Sequence, residues 1–138
     1  MDWLRAVVAL MMSISGGVSA TAPAVRVSLP PTTAAATPPD GLRCGQWFGA
    51  AVAAGWTPDE VPQLDRIIWR ESHCQADATR VNANGSIDRG LTQINSINLG
   101  WLADVGIGPD DLLVGPRNLE AARLLYDQHG WSPWRPLP

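Results

Sequence analysis

Residues 62–74 read PQLDRIIWRESHC (Pro62–Cys74), and the way this stretch folds decides how the rest of the chain is arranged. Pro62 suits the first turn of a helix, where its missing N–H would have no partner anyway. At about 100° per residue, Leu64, Ile67, Ile68 and Glu71 fall on one face. Asp65, Arg66 and Arg70 point away from it. The pattern predicts an amphipathic helix opening at Pro62, with an apolar stripe against a core. Glu71 closes that stripe in the last turn. An apolar setting and the negative end of the helix dipole both favour its neutral form. A glutamate at the helix end that simply reaches water is the plainer alternative.

Working outward, CGQWFGAAVAAGW (Cys44–Trp56) predicts a short helix stopped near Gly55. Thr57, Pro58 and Glu60 carry a capping-box signature, and a single turn is expected over 57–61. After Cys74 the helical pattern dissolves. ADATRVNANGSIDRG (Ala76–Gly90) is rich in turn-forming residues and predicts a polar loop or short hairpin. Leu91, Ile94 and Ile97 then resume an apolar spacing, and Gly106–Pro109 punctuate a loop. Pro116 opens a last helix ended by Gly130. There Leu119, Ala122 and Tyr126 share a stripe, so the Tyr126 hydroxyl should point inward and need a partner. The expected class is mainly α (α+β), a small helical domain with a polar loop or hairpin beside a cleft.

The whole chain has 138 residues, enough for one modest domain, and 46% of them are hydrophobic. Its formal charge of −3 gives no electrostatic case for nucleic acid. All ten basic residues are arginine, which reads as genome composition rather than chemistry. AVVALMMSI (Ala6–Ile14) is an apolar run of signal-peptide length, too short to span a bilayer, and Val18-Ser19-Ala20 supplies small residues for cleavage. Residues 1–20 are thus expected to be a signal peptide cleaved near Ala20, with an uncleaved anchor as the alternative. Residues 21–40, rich in Pro, Thr and Ala, have little to pack and read as a linker. The folded domain is expected over 41–138. In an exported domain Cys44 and Cys74 should pair as one disulfide, the alternative being two free thiols. His73 and His129 offer too few well-spaced partners for a metal. NANGSID faintly resembles a calcium loop, but Arg80 and Leu91 stand where the first and last carboxylates belong. No metal or cofactor is expected.

Chemistry enters with a second carboxylate. Glu71 lies at a helix end and Asp88 in the polar loop that follows. Cleavage of a sugar linkage needs two such groups in unlike settings. One is kept protonated to donate to the leaving oxygen, and one is ionised to balance an oxocarbenium-like centre. By this pattern Glu71 is the acid and Asp88 the anion. The bland reading of Asp88 is a residue that orders its loop through backbone N–H bonds. Trp101, Trp131 and Trp134 are candidates for stacking on sugar rings, or for ordinary packing.

The sequence around the two carboxylates is distinctive. Glu71-Ser72, followed by Gly85, Ser86, Asp88, Gly90, Leu91, Gln93, Ile94 and Asn95, resembles the lysozyme-like superfamily. It looks most like bacterial transglycosylase SLT-type domains, above all the small exported kind that accompany secretion and conjugation machines. The Glu-to-Asp spacing and the GSxDxGxxQINS string also resemble animal c-type lysozymes. Lysozymes are themselves the type case of this two-carboxylate chemistry, so the likeness and the Glu71–Asp88 pairing are a single line of support. The resemblance runs from about Trp56 to Trp134, where Asn118, Ala122, Leu125-Tyr126 and Gly130-Trp131 match the family's ending. It implies that Glu71 is the acid/base, that Tyr126 lies near it, and that Gln93 and Asn95 line the sugar cleft. Ser72 follows the acid as in the SLT pattern, and Ser86 belongs to the loop string. The implied reaction is cleavage of the β-1,4 link between N-acetylmuramic acid and N-acetylglucosamine in peptidoglycan. The product is either an anhydro sugar, as from a lytic transglycosylase, or a reducing end, as from a lysozyme. The closer resemblance favours the first. The implied partners are a peptidoglycan glycan strand and a secretion or conjugation machine, with the protein a monomer. Two departures stand out: Thr92 replaces a methionine common in SLT domains, and no proline follows QIN. Many transglycosylases use no second carboxylate, so the family supports Glu71 more than Asp88. A peptidoglycan-binding module without turnover is the rival of another class.

Overall fold

The computed structural model describes residues 36–138, so the leader over 1–20 and most of the 21–40 tract lie outside the described residues. Four helices carry the fold: α1 (Phe48–Ala53), α2 (Val61–Ser72), α3 (Leu99–Asp104) and α4 (Gly115–His129). Short 3-10 turns precede α1 and α3 and follow α4. Three short strands, β1 (Thr79–Val81), β2 (Ile87–Arg89) and β3 (Ile94–Asn95), form an antiparallel sheet in the order β1-β2-β3. The mainly helical class expected from the sequence is therefore the observed one. The polar stretch after Cys74 is a hairpin extended by a third strand. Among the described residues no helix is long and apolar enough to cross a membrane.

α2 forms where its pattern requires, one residue earlier than expected, with Pro62 in the first turn. Half of the capping box is made: the Thr57 N–H donates to Glu60 Oε2 at 2.9 Å, closing the turn before the helix. At the other end His73 adopts φ 52° and donates its N–H to the Trp69 carbonyl, which terminates α2 directly after Glu71-Ser72. Leu64, Ile67 and Ile68 are buried as predicted. They join Phe48 and Ala51 of α1, Leu119, Ala122 and Leu125 of α4, and Leu91, Ile94 and Leu102 in one core. Fully burying each large aliphatic side chain contributes about 1.5–3 kcal/mol.

Three expectations are corrected here. Asp65 does not point to solvent. It is buried, and its two oxygens accept the N–H groups of Arg43 and Cys44 at 2.9 and 2.8 Å. A buried carboxylate persists when its lone pairs are taken up, and here they bind the incoming chain to α2. Arg70 is half-buried rather than solvated, because polar groups of its neighbour and of the C-terminal segment surround it. Ile97 is 79% exposed, since β3 ends at Asn95 and the apolar spacing stops with it.

Cys44 and Cys74 are joined by a disulfide across a sequence separation of 30, which closes the N-terminal segment onto the end of α2. The Trp47 indole N–H adds a bond to the Cys74 carbonyl at 3.0 Å. Both contacts fix the backbone just past Glu71.

Candidate active site

The sheet register assembles the polar side of the site. Arg80 lies opposite Asp88 on one flank, and Asn95 lies opposite Asp88 on the other. Directly opposed residues point to the same face of a sheet, so the three side chains meet. Arg80 donates to Asp88 Oδ2 through Nε and Nη2 at 3.2 and 2.8 Å. Asn82 Nδ2 adds a third bond to Oδ2 at 3.0 Å. Asn95 Nδ2 donates to Oδ1 at 2.7 Å. The turn between β1 and β2 supports this cradle, because Ser86 Oγ accepts from both Asn82 Nδ2 and Asn95 Nδ2 and donates to Asn84 Oδ1. Burial pushes the Asp88 carboxyl up. The hydrogen bonds from Arg80, Asn82 and Asn95 and the nearby guanidinium charge outweigh that and hold it below the usual carboxylate value. Asp88 is thus built to stay ionised. Its partners are side chains, not the backbone N–H groups of the bland reading.

α2 delivers the other carboxylate. Glu71 sits in the last turn with its side chain 16% exposed. It does not face a purely apolar setting. Nε and Nη2 of Arg70 both donate to Oε1, at 2.9 and 2.5 Å. The same guanidinium donates to the carbonyls of Trp134, at 2.8 Å, and Pro136. Successive helix residues point about 100° apart, which is why the pattern sent Arg70 away. A long flexible side chain folds back and overrides that geometry.

Glu71, Asp88, Gln93 and Asn95 line one cavity of about 360 Å³, with Arg70, Arg80 and Trp134 among its walls. The Arg80 guanidinium answers to both carboxylates; its affinity for its proton is raised chiefly by the Asp88 hydrogen bond and also by the charge of Glu71. A second cavity, about 470 Å³, shares Gln93, Asn95, Ile97 and Trp134 with the first, so the two adjoin along the QIN segment. Gln93 holds φ 52° and donates Nε2 to the carbonyls of Ala78 and Gly90. That strained conformation turns the segment along the cavity edge.

Other residues named from the sequence lie elsewhere. Ser72 is buried and its hydroxyl donates back to the Ile68 carbonyl at 3.1 Å, so it is not a cavity wall. Tyr126 does not line the cavity with Glu71. Its ring packs against Trp56 and Trp131 with centroids 5.1 and 4.5 Å away, and the charge of nearby Glu60 adds to burial in raising its hydroxyl pKa. Arg123 completes that cluster, pairing with Glu60 at 2.6 Å. Trp101 is partly buried on α3, its indole bonded to Asn98 Oδ1, and it lines neither cavity. Trp134 is the tryptophan at the site, buried, with Nε1 donating to the Thr92 carbonyl at 2.9 Å. Arg70 and Arg80 are walls of the site that the sequence did not point to. The one signal for Arg70 was its place beside Glu71.

Beneath the site, Asn118 is fully buried and fully bonded. Its Oδ1 accepts from Thr92 N and Oγ1, and its Nδ2 donates to the carbonyls of Arg89 and Leu112. Two of these bonds hold the GLTQ turn between β2 and β3, a third holds the end of β2, and the fourth ties Leu112 to the same α4 side chain. Gly90 opens that turn at φ +80° with no room for a side chain.

Residues 49–135 match the family described as "Lysozyme like domain", and the chain belongs to it. It is also similar to lysozyme c-1 of Anopheles gambiae, with 34% identity over 83 residues. That match covers 54% of this chain and 57% of the relative, so the chain spans somewhat over half the length of the curated protein it matches. The lysozyme-like, SLT-type resemblance read from Glu71-Ser72 and the GSIDRGLTQIN string stands.

Proposed function

We propose that the domain cleaves the β-1,4 linkage between N-acetylmuramic acid and N-acetylglucosamine in peptidoglycan. Glu71 is the general acid, and Asp88 is the fixed anion across the cavity. The observation that carries this is the shared 360 Å³ cavity, in which one carboxylate is held ionised by three donors while the other ends a helix. Glu71 donates its proton to the glycosidic oxygen as the bond to the anomeric carbon breaks. Asp88 balances the positive charge that develops on the sugar. Glu71 then accepts a proton from the attacking oxygen. Gln93, Asn95 and Trp134 give the strand its polar edges and one aromatic wall.

An ionised second carboxylate supports water as the attacking group, the lysozyme outcome. The string around Glu71-Ser72 supports the muramyl 6-hydroxyl, the transglycosylase outcome, as the second reading. The disulfide and the likeness to a lysozyme support an exported protein, with residues 1–20 removed and 21–40 serving as a linker. One experiment addresses reaction and product together: digestion of purified wall by wild type and Glu71→Gln, with mass analysis of the fragments. Wild type should release muropeptides with reducing ends and the variant should release none. Anhydro ends would move the assignment to transglycosylase, and equal release by both proteins would remove Glu71 from the mechanism.

A further inference from the structure

We infer that a basic, aromatic groove adjoining the Glu71 cavity docks the anionic peptide stem carried by the muramyl residues of the substrate, an inference that rests on the peptidoglycan reading above. This groove, a cavity of about 750 Å³, is not the one that holds Glu71. Arg43, Arg66, Trp69, Arg70 and His73 line it. The Trp69 ring is 37% exposed, with the Arg43 guanidinium 5.2 Å from its centroid and the His73 ring edge-on at 4.9 Å. Among the described residues neither Arg43 nor Arg66 has a carboxylate partner; Arg66 reaches only Gln63 Oε1. Asp65 in the groove wall makes no ion pair with either guanidinium; its two oxygens accept the backbone N–H groups of Arg43 and Cys44. Asp40 is the remaining acidic side chain in the lining. An exposed indole among uncommitted guanidinium groups suits a ligand with carboxylates spaced along a small apolar body.

Arg70 is a wall of both the groove and the Glu71 cavity, which ties the groove to the glycan. A muramyl ring held at Glu71 carries its stem on the lactyl ether, outward from the sugar. A four-residue stem extended at about 3.3 Å per residue reaches roughly 13 Å. That exceeds the roughly 10 Å width of a helix, so a stem leaving the cavity can pass Arg70 and bring its carboxylates to Arg43 and Arg66. Its alanine methyl groups would then lie on Trp69.

The test compares the full chain with Arg43→Gln/Arg66→Gln on two substrates: stem-bearing glycan strands, and the same strands after an amidase has removed the stems. The double variant should raise KM about three- to ten-fold on stemmed strands, leave kcat unchanged, and behave as wild type on bare strands. Equal effects on both substrates, or none on either, would overturn the inference. Titration of the free tetrapeptide L-Ala-γ-D-Glu-diaminopimelyl-D-Ala supplies a readout independent of cleavage. The Trp69 indole N–H signal, assigned with Trp69→Phe, should shift in wild type and not in the double variant. If wall is not cut at all but that shift occurs, the cleavage reading fails and the groove stands. No shift overturns the groove. Binding of phosphatidylglycerol vesicles without the peptide shift overturns it too, and assigns the cations to a lipid surface.

Discussion

The Arg70 guanidinium places both Nε and Nη2 on a single oxygen of its neighbour, Glu71 Oε1, and reaches the carbonyls of Trp134 and Pro136 with the same fork. Two donors on one oxygen restrain the carboxyl group and leave Oε2 without a hydrogen-bond partner among the described residues. Arg70 therefore positions the proposed acid and couples it to the C-terminal segment. Arg70→Gln should lower kcat on wall fragments about ten-fold with little change in KM, since a loosened catalytic group loses alignment rather than substrate affinity. Arg70→Lys should recover little, because an ammonium cannot supply a planar fork. A lysine variant with wild-type kcat would reduce Arg70 to a charge.

Asp88 makes acid stability informative. Its folded carboxyl lies below the ordinary value because the hydrogen bonds of Arg80, Asn82 and Asn95 outweigh the opposing effect of burial. A depressed folded value stabilises above the unfolded value of about 3.9, and the contribution drains away as pH falls through the folded value. Asp88→Asn removes that charge and sets an amide among amide donors, which should cost about 1–3 kcal/mol at neutral pH. The gap in Tm between wild type and variant should be full at pH 7 and should narrow steadily below about pH 4. A gap that stays constant to pH 2 would mean that the carboxylate charge is not what the cradle holds.

Much of this was legible in the sequence, for identifiable reasons. The 3.6-residue period placed Leu64, Ile67, Ile68 and Glu71 on one stripe, and it assigned the helices because packing there follows periodicity. The period failed at Asp65 and Arg70, where polar groups distant in sequence decide the side chain's direction. Asp65 serves the N–H groups of Arg43 and Cys44, and Arg70 serves carbonyls near the C-terminus. No local pattern encodes such partners. The segment around Asp88 read as a polar loop or short hairpin but without strand bounds or register, because strands as short as Thr79–Val81 and Ile94–Asn95 carry no measurable alternation. Likewise Tyr126 was expected to lie near the proposed acid, but the fold packs its ring with Trp56, Trp131 and Arg123 instead.

The two loop glycines should differ sharply in what they tolerate. Gly85 and Gly90 have nearly the same backbone angle, φ +83° and +80°. A Cβ on Gly85 meets nothing within 4 Å, whereas one on Gly90 would lie 2.0 Å from the Leu112 carbonyl oxygen and 2.1 Å from Asn118 Nδ2. Gly85→Ala should therefore cost only the left-handed penalty of about 1–2 kcal/mol. Gly90→Ala must also displace backbone and break the Asn118 network, and should exceed about 4 kcal/mol or fail to fold. Urea denaturation of the pair is the measurement, and equal losses would show that Asn118 yields without cost.

The disulfide and Asp65 hold the same segment against α2, so their effects should not add. Removing the Cys44–Cys74 bridge as Cys44→Ala/Cys74→Ala frees a loop of separation 30, which in the chain-entropy model is worth about 3–4 kcal/mol. Asp65→Asn leaves one backbone N–H without its acceptor and should cost about 1–3 kcal/mol. Once the bridge is gone, residues 41–47 can peel away at smaller cost, and part of the Asp65 contribution goes with them. The combined variant should fall short of the summed losses by about 0.5–2 kcal/mol. Hydrogen exchange should locate the early opening at Arg43 and Cys44 while the amides of Ile67 and Ile68 stay protected. Strict additivity, or exchange spread evenly over α2, would mean that the two contacts act on separate parts of the fold.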